Sequence, residues 1–513
     1  MARAAASLPL FERPALPPPF AEWFRRRGWT PHAHQLAMVE AARARRSALL
    51  IAPTGGGKTL AGFLPGLLDL AARPVQGLHT LYLSPLKALA VDVHRNVERP
   101  IAEMALGIRA ETRTGDTPHK KRERQRQAPP QILMTTPESL ALMLSYADAP
   151  RIFRHLDSVI VDELHALAGT KRGDLLSLGL ARLRTIAPHC RRVGLSATVA
   201  DPAWLARWLD AGPVERIVAP GGLDPIIDIL IPAQRMPWSG HMALHALPEI
   251  YEAIKAAGTT LVFVNTRAIA ELVFQELWHI NEANLPIALH HGSLAAEQRR
   301  RVESAMAKGA LKAVVCTSSL DLGIDWGAVD LVIQLGAPKG ASRLIQRIGR
   351  SNHRLDLPSC AILVPGNRFE VLECRAAIDA IRSHELDGRV RRAGGLDVLA
   401  QHILGMACAA PFRADDLYDE VRLAAPYQDL SRQDFDDALG FVETGGYALS
   451  AYPRWHRLRR YSNDSFRVAS PRAAQQYRMN IGTIVEATTL KIRLGRAKVL
   501  GEVEEYFIQG LVP

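Results

Sequence analysis

Short apolar runs separated by amphipathic stretches are the feature of this 513-residue chain that most narrows its fold. Between about residue 20 and about residue 215 the runs are Ala48–Ala52, Thr80–Ser84, Gln131–Thr135, Ser158–Val161 and Arg192–Ser196. Strands that read as continuous apolar runs are buried on both faces, and helices between them give connections long enough for parallel pairing. The pattern predicts a parallel sheet covered on both sides. After a break at Ala219-Pro220-Gly221-Gly222 the alternation resumes with Thr260–Val264, Pro286–His290, Ala313–Thr317, Leu331–Leu335 and Cys360–Val364. A second α/β domain of similar build is expected there.

After about Glu373 the character changes. Leu396–Cys408, Ala414–Arg422 and Ser431–Thr444 read as three short helices, with Ser431 as an N-cap. A Gly445-Gly446 turn and a basic stretch dotted with aromatics, Tyr447 to Phe466, follow. Three helices and a hairpin predict a winged helix. β-branched alternation begins at Ile481, Thr483 and Val485 and runs on to Pro513. The expected division is an extended leader over 1–19, α/β domains over 20–218 and 219–372, a winged-helix domain over 373–470, and the start of a β-rich domain over 471–513.

Composition sets the limits. With 48% hydrophobic and 22% charged residues the chain is not mostly disordered. Met1 to Phe11 is interrupted by Pro9 and lacks the apolar core of a signal peptide. No uncharged apolar stretch reaches the ~18 residues that a membrane span needs. Cys190, Cys316, Cys360, Cys374 and Cys408 never form a C-x-x-C pair, which supports neither a disulfide framework nor a cysteine-rich zinc site. The expectation is a cytosolic protein, in the reducing cytosol or nucleoid, with no membrane contact. The net charge of +11 favours a polyanionic partner such as nucleic acid.

Two local motifs carry chemistry. Ala52-Pro53-Thr54-Gly55-Gly56-Gly57-Lys58-Thr59 lies between a predicted strand and a predicted helix. Its glycines let backbone N–H groups wrap a phosphate, and the helix N-terminus adds positive potential. Lys58 is then placed to reach the β- and γ-phosphates of ATP, and the Thr59 hydroxyl to ligate Mg²⁺. Val159-Ile160-Val161-Asp162-Glu163-Leu164-His165 delivers two adjacent carboxylates to the C-terminal end of a strand, where parallel sheets bind ligands. Asp162 is the candidate Mg²⁺ ligand, and Glu163 the candidate for orienting the attacking water.

With both half-sites present, the chain resembles a superfamily-two helicase of the DExH type. The resemblance implies two tandem RecA-like motor domains. It implies that Ser84-Pro85-Leu86-Lys87, Thr114-Gly115-Asp116 and Thr135-Thr136-Pro137-Glu138 line the path of a nucleic-acid backbone on the first domain. Hydroxyls, backbone N–H groups and one lysine suit phosphates and read no bases. Ser196-Ala197-Thr198 resembles the segment that couples hydrolysis to domain closure, and Gln35 the glutamine that recognises adenine. On the second domain, Phe263-Val264-Asn265-Thr266-Arg267 and His290-His291-Gly292-Ser293-Leu294 match segments that bind the strand. The stretch Cys316 to Asp325, with Thr317, Ser318, Gly323 and Asp325, matches one that touches both strand and nucleotide. Gln346-Arg347-Ile348-Gly349-Arg350 matches the arginine-finger motif, with Arg350 approaching the γ-phosphate and Gln346 beside it. His353 stands where many relatives carry arginine.

Within that superfamily the chain is similar to the large helicase-related (Lhr) group. Gly349-Arg350-Ser351-Asn352-His353-Arg354-Leu355-Asp356, Asn367 to Glu373 and Tyr477 to Thr483 carry the narrower likeness, which points to the bacterial ligase-associated DNA damage response branch. It implies an ATP- and Mg²⁺-dependent 3′-to-5′ translocase on single-stranded or tailed DNA, with RNA–DNA hybrid as a further partner. It also implies work in DNA repair alongside an ATP-dependent DNA ligase and a nuclease. Members of the group continue through a further β-barrel-like domain, so a chain truncated at its C-terminus is expected. Trp455, flanked by Arg454, Arg457, Arg459 and Arg460, reads equally as a base-stacking residue on the wing or as packed core. The runs His119–Arg126 and Arg299–Arg301 read as solvated helix faces. An RNA helicase and a non-hydrolysing ATP-gated clamp are the alternatives. Lys58, Glu163 and Arg350 together argue against the clamp.

Overall fold

The computed structural model describes residues 16–504 apart from 54, 198, 222, 241–242, 322–327, 353–356, 388–391, 462–463, 484–488 and 495–497. Thr54, Thr198, Gly323, Asp325, His353 and Arg354 therefore lie outside the described residues. The first sheet has seven parallel strands: β1 (Ser47–Ile51), β2 (Thr80–Leu83), β3 (Ala110–Arg113), β4 (Ile132–Thr135), β5 (Ser158–Val161), β6 (Arg191–Ser196) and β7 (Val214–Val218). Their spatial order is β3-β4-β2-β5-β6-β1-β7. Alternate residues of β1 enter different cores: Ala48 and Leu50 pack on one side, Leu49 and Ile51 on the other. That is the two-sided burial its unbroken apolar run implies.

The second sheet has six parallel strands: β8 (Ile226–Ile229), β9 (Thr260–Phe263), β10 (Ile287–His290), β11 (Ala313–Cys316), β12 (Leu331–Leu335) and β13 (Cys360–Val364), in the order β10-β11-β9-β12-β13-β8. Three strands have no counterpart among the apolar runs: β3, β7 and β8. Each lies at a sheet edge and is incompletely buried, so none carries a continuous apolar run. The helix Arg368–Arg382 packs on β8 and on the helix Ala341–Ile348, and runs unbroken across the expected boundary at 372/373.

Beyond it, helices Leu396–Ala409, Ala414–Val421 and Arg432–Thr444 accompany a three-stranded antiparallel sheet of β14 (Phe412–Arg413), β15 (Leu458–Arg460) and β16 (Ser465–Val468), ordered β14-β16-β15. This is a winged helix. Ser431 caps the third helix by accepting from the Asp434 N–H at 3.0 Å, and Gly445 ends it at φ 82°. A further helix, Pro471–Met479, occupies the start of the region expected to be β-rich, before the antiparallel pair β17 (Thr489–Leu494) and β18 (Lys498–Glu504). Among the described residues no helix is long and apolar enough to cross a membrane.

Candidate functional site: a cavity between the two sheets

The phosphate loop joins β1 to the helix Lys58–Ala72. Gly57 sits at φ 69°, and a Cβ there would lie 2.8 Å from Gln35 Nε2, so this position needs glycine twice over. Gln35, 3% exposed, accepts from the His32 N–H at 2.9 Å and donates to the Gly57 carbonyl at 3.4 Å. His34 Nε2 lies 2.8 Å from the Gly56 carbonyl oxygen. The segment before the loop thus braces it from outside. Lys58 Nζ donates to the Ala52 carbonyl at 3.0 Å.

β5 ends at Val161 and presents Asp162 and Glu163, 5% and 6% exposed. Glu163 has φ 47° and ψ 43°, a backbone well rare for a non-glycine residue and a feature of functional turns. Asp162 accepts from the Glu163 N–H at 2.8 Å and from the Tyr82 hydroxyl at 2.5 Å. Burial, then the neighbouring Glu163 charge, pushes the Asp162 carboxyl above its ordinary range. Burial also lowers Lys58, against the pull of Glu163 and Asp162, and raises the Tyr82 phenol. His165 Nε2 is 3.5 Å from Glu163 Oε2, while its Nδ1 is 3.1 Å from Ser196 Oγ. One imidazole therefore lies between Glu163 and the segment expected to couple hydrolysis to closure.

Arg350 comes from the second domain. It is 3% exposed and its Nη2 donates to the Asp321 carbonyl at 2.9 Å. Among the described residues its Nε and Nη1 have no hydrogen-bond partner. Arg347, one turn earlier, is spent inside the domain: it pairs with Asp321 at 2.8 Å, donates to Gln334 Oε1 at 2.6 Å and lies over the Phe263 ring. A single cavity of about 580 Å³ is lined by Gln35, Gly55, Gly57, Lys58, Thr59, Asp162 and Glu163 from the first domain and by Arg350 from the second. Gln346 is half-buried and does not line it. Trp23, Phe24, Arg27 and Trp29, outside the sequence motifs, also line it. A Trp-x₅-Trp spacing just upstream of Gln35 was the available signal. A hydroxyl and a carboxylate are hard oxygen donors, so Thr59 and Asp162 fit a Mg²⁺ ion.

The segments expected to line a strand are at the C-terminal ends of their strands, but many of their side chains turn inward. Ser84 is fully buried and bonds the Leu86 backbone. The Pro85 carbonyl accepts from Arg172, which also pairs with Glu138. Thr136 is buried as the N-cap of helix Pro137–Leu144. Asn265 donates to the Ala337 carbonyl at 2.9 Å, Thr317 is buried, and His291 is 3% exposed with Nε2 2.8 Å from Glu271 Oε1. Lys87 and Ser318 are exposed, Lys87 pairing with Asp116 at 2.9 Å, and Arg267 is half-buried. Trp455 is 41% exposed with the Arg454 guanidinium 5.4 Å from its ring centre, which sets aside the packed-core reading. His119–Gln127 is a helix with one buried residue, Gln125.

Two parallel-sheet domains with a phosphate loop on one and an arginine of the other in the same cavity define a superfamily-two helicase core. Family profiles agree along the chain: DEAD/DEAH box helicase over residues 32–204, helicase conserved C-terminal domain over 242–354, and large helicase-related protein, winged helix domain, over 379–513. The chain is 35% identical over 514 residues to the ATP-dependent helicase Lhr-Core of Methanocaldococcus jannaschii, covering 96% of this chain and 60% of that protein. It is 35% identical over 510 residues to the Lhr helicase/probable uracil glycosylase of Mycolicibacterium smegmatis, covering 90% of this chain and 34% of that protein. The solved structure of Mycobacterium smegmatis helicase Lhr bound to ssDNA and AMP-PNP superposes with TM-score 0.82 at 35% identity, over 93% of this chain and 62% of that one. The chain belongs to the Lhr, or large helicase-related, family. It spans less than two thirds of each of these relatives.

Proposed function

We propose that this chain is the motor of an ATP-dependent DNA helicase, coupling ATP hydrolysis to movement along a DNA single strand. One observation carries the reading: Lys58, Thr59, Asp162 and Glu163 of one domain share a cavity with Arg350 of the other. Neither half alone neutralises a transferring phosphoryl group, so hydrolysis requires closure. The glycine loop and Lys58 hold the phosphates, and the aromatic part of the lining, Trp23, Phe24 and Trp29, takes the base beside Gln35. Mg²⁺, held by Thr59 and Asp162, supplies charge neutralisation for the phosphates when bound. Glu163, aimed by its left-handed backbone, orients and polarises the attacking water. The partnerless Nε and Nη1 of Arg350 meet the charge that develops in the transition state. His165 transmits the position of Glu163 to Ser196.

The strand is gripped chiefly through backbone N–H groups of the 84–87, 135–138, 265–267, 291–294 and 317–318 segments, because most side chains there are committed inward. Lys87, Ser318, Arg267 and the wing residue Trp455 are the side chains available to it. Contacts of this kind make affinity fall steeply with salt. The choice of DNA, the 3′-to-5′ direction, the bacterial ligase-associated branch, the repair role with ligase and nuclease, and the RNA–DNA hybrid as a partner rest on likeness to the Lhr group. The test is ATPase at fixed salt with equal nucleotide concentrations of single-stranded DNA, RNA, or neither. Stimulation by DNA is expected. Stimulation by RNA alone would overturn the choice of DNA, and stimulation by neither would overturn the coupling.

A further inference from the structure

Tyr82 belongs to none of the motifs above, yet its hydroxyl meets the carboxylate on which the site depends. It lies on β2, in register with Ile160 of β5, fully buried, with its ring stacked on Phe63 at 5.3 Å. Its hydroxyl donates to Asp162 Oδ2 at 2.5 Å. The Asp162 N–H donates to the Leu83 carbonyl at 2.9 Å, so backbone and side chain of Asp162 are both fastened to β2. The other oxygen, Oδ1, accepts from the Glu163 N–H at 2.8 Å. A charge-assisted hydrogen bond in a buried site fixes one carboxylate rotamer, and the second carboxylate beside it makes alternatives cost little unless something fixes one. Phenylalanine would fill the same volume without a polar atom to bury, so the hydroxyl has a task that packing does not explain.

We propose that Tyr82 is a positioning residue that orients Asp162 toward the metal ion, an inference that rests on the site reading above. Partners that orient metal-ligating carboxylates set metal affinity from one shell out. β2 continues directly into Ser84–Lys87, so the same tyrosine ties the metal-binding carboxylate to a strand-gripping segment.

The experiment is binding of a fluorescent ADP analogue during a Mg²⁺ titration, with an EDTA arm and melting temperatures, for the native chain and Tyr82→Phe. The expected result is an apparent Mg²⁺ half-saturation raised by about tenfold. Nucleotide affinity in EDTA and melting temperature should stay close to native. In an Asp162→Asn background the Tyr82→Phe effect should disappear. Equal Mg²⁺ half-saturation in the native chain and Tyr82→Phe would overturn the inference. So would a lowered melting temperature with Mg²⁺ dependence unchanged, which is the signature of plain packing. Nucleotide binding indifferent to Mg²⁺ in the native chain would instead overturn the site reading, and this inference with it.

Discussion

The first domain meets two neighbours and shares buried apolar residues with both, Ile217 and Ala219 lying in one cluster with Ile227, Leu261 and Phe263 of the second domain. The two contacts differ in how their charges are met. Against the winged helix it offers apolar surface: Leu399, Ile403 and Met406 of helix Leu396–Ala409 share one continuous core with Leu140, Leu144, Leu176 and Leu180. Charges there meet in pairs, Arg392 with Asp174 at 2.8 Å, Lys171 with Asp397 at 3.0 Å and Arg182 with Glu420 at 3.0 Å. Arg478 adds a bond to the Ser145 carbonyl at 2.9 Å and lies over the Tyr146 ring, with Arg126 also over that ring. Against the second domain it offers a carboxylate pair and a lysine facing an arginine with two partnerless nitrogens. What sets the winged-helix joint apart is that its charges are paired, so that removing one partner leaves the other uncompensated. In the cleft, Lys58 and Arg350 offer positive charge to a phosphate, and Asp162 and Glu163 offer negative charge to a divalent cation. The expectation is that the winged helix moves with the first domain and that the cleft is the working joint.

The largest break in this contrast is expected at the cleft. Arg350→Ala should lower DNA-stimulated ATPase by about 10³-fold. Nucleotide affinity should change little, because the contact is made in the closed, transition-state arrangement. Removing a guanidinium with unsatisfied buried nitrogens should not lower the melting temperature. Glu163→Gln should cost about 10²-fold or more in turnover while the nucleotide still binds. Near-normal ATPase in Glu163→Gln would show that the catalytic carboxylate lies elsewhere.

At the winged-helix joint the response should reverse, with stability moving and basal turnover staying. Asp174 is 1% exposed and accepts from Arg392 Nη2 at 2.8 Å and from the Gly395 N–H at 3.1 Å. Asp174→Ala leaves the Gly395 N–H without its acceptor and removes one partner of the half-exposed Arg392, and should cost about 1–2 kcal/mol. Denaturant unfolding reads the loss, and ATPase without DNA at a temperature where the variant is folded reads the rest. If turnover collapses while stability holds, the two joints are not separate devices.

The same division governs what could be read from the sequence. Lys58, Thr59, Asp162 and Glu163 were legible because a phosphate loop and a strand end fix their geometry over a few consecutive residues. Arg350 was legible from its motif, but not that Arg347, three residues earlier, is spent on Asp321. The winged-helix joint was silent: Asp174 and Arg392 stand 218 residues apart, Arg182 and Glu420 238, and no local pattern links such pairs. Tyr82 was hidden for another reason, since one aromatic in a buried strand looks like packing until its hydroxyl is seen to reach Asp162. The edge strands β3, β7 and β8 lacked the apolar run that marked their neighbours. The strand-binding segments were legible as segments, yet Ser84, Thr136, Asn265 and His291 spend their side chains inside the fold, which only three-dimensional contacts reveal.

The smallest effect expected at neutral pH is a pH dependence confined to the winged-helix joint. His402 lies on helix Leu396–Ala409, 5% exposed, with no partner for its Nε2 among the described residues and Arg182 nearby. Burial first, and the Arg182 charge second, lowers its pKa to about 3. The ring is therefore neutral in the fold, whereas in the unfolded chain it protonates below about 6.5. A folded pKa below the unfolded one means that the unfolded state takes up the proton first as pH falls. Stability is unaffected above about pH 7 and declines by about 1.4 kcal/mol per unit below about pH 6.5, continuing toward the folded value. At pH 5 the native chain should have lost about 2 kcal/mol that His402→Leu retains. Urea midpoints of both proteins at pH 7.5 and pH 5 make the measurement, and groups titrating in both cancel in the difference. Identical losses in the two proteins would mean that the joint admits a charged imidazole. The contrast between the joints would then fail at one of the buried groups of the winged-helix joint.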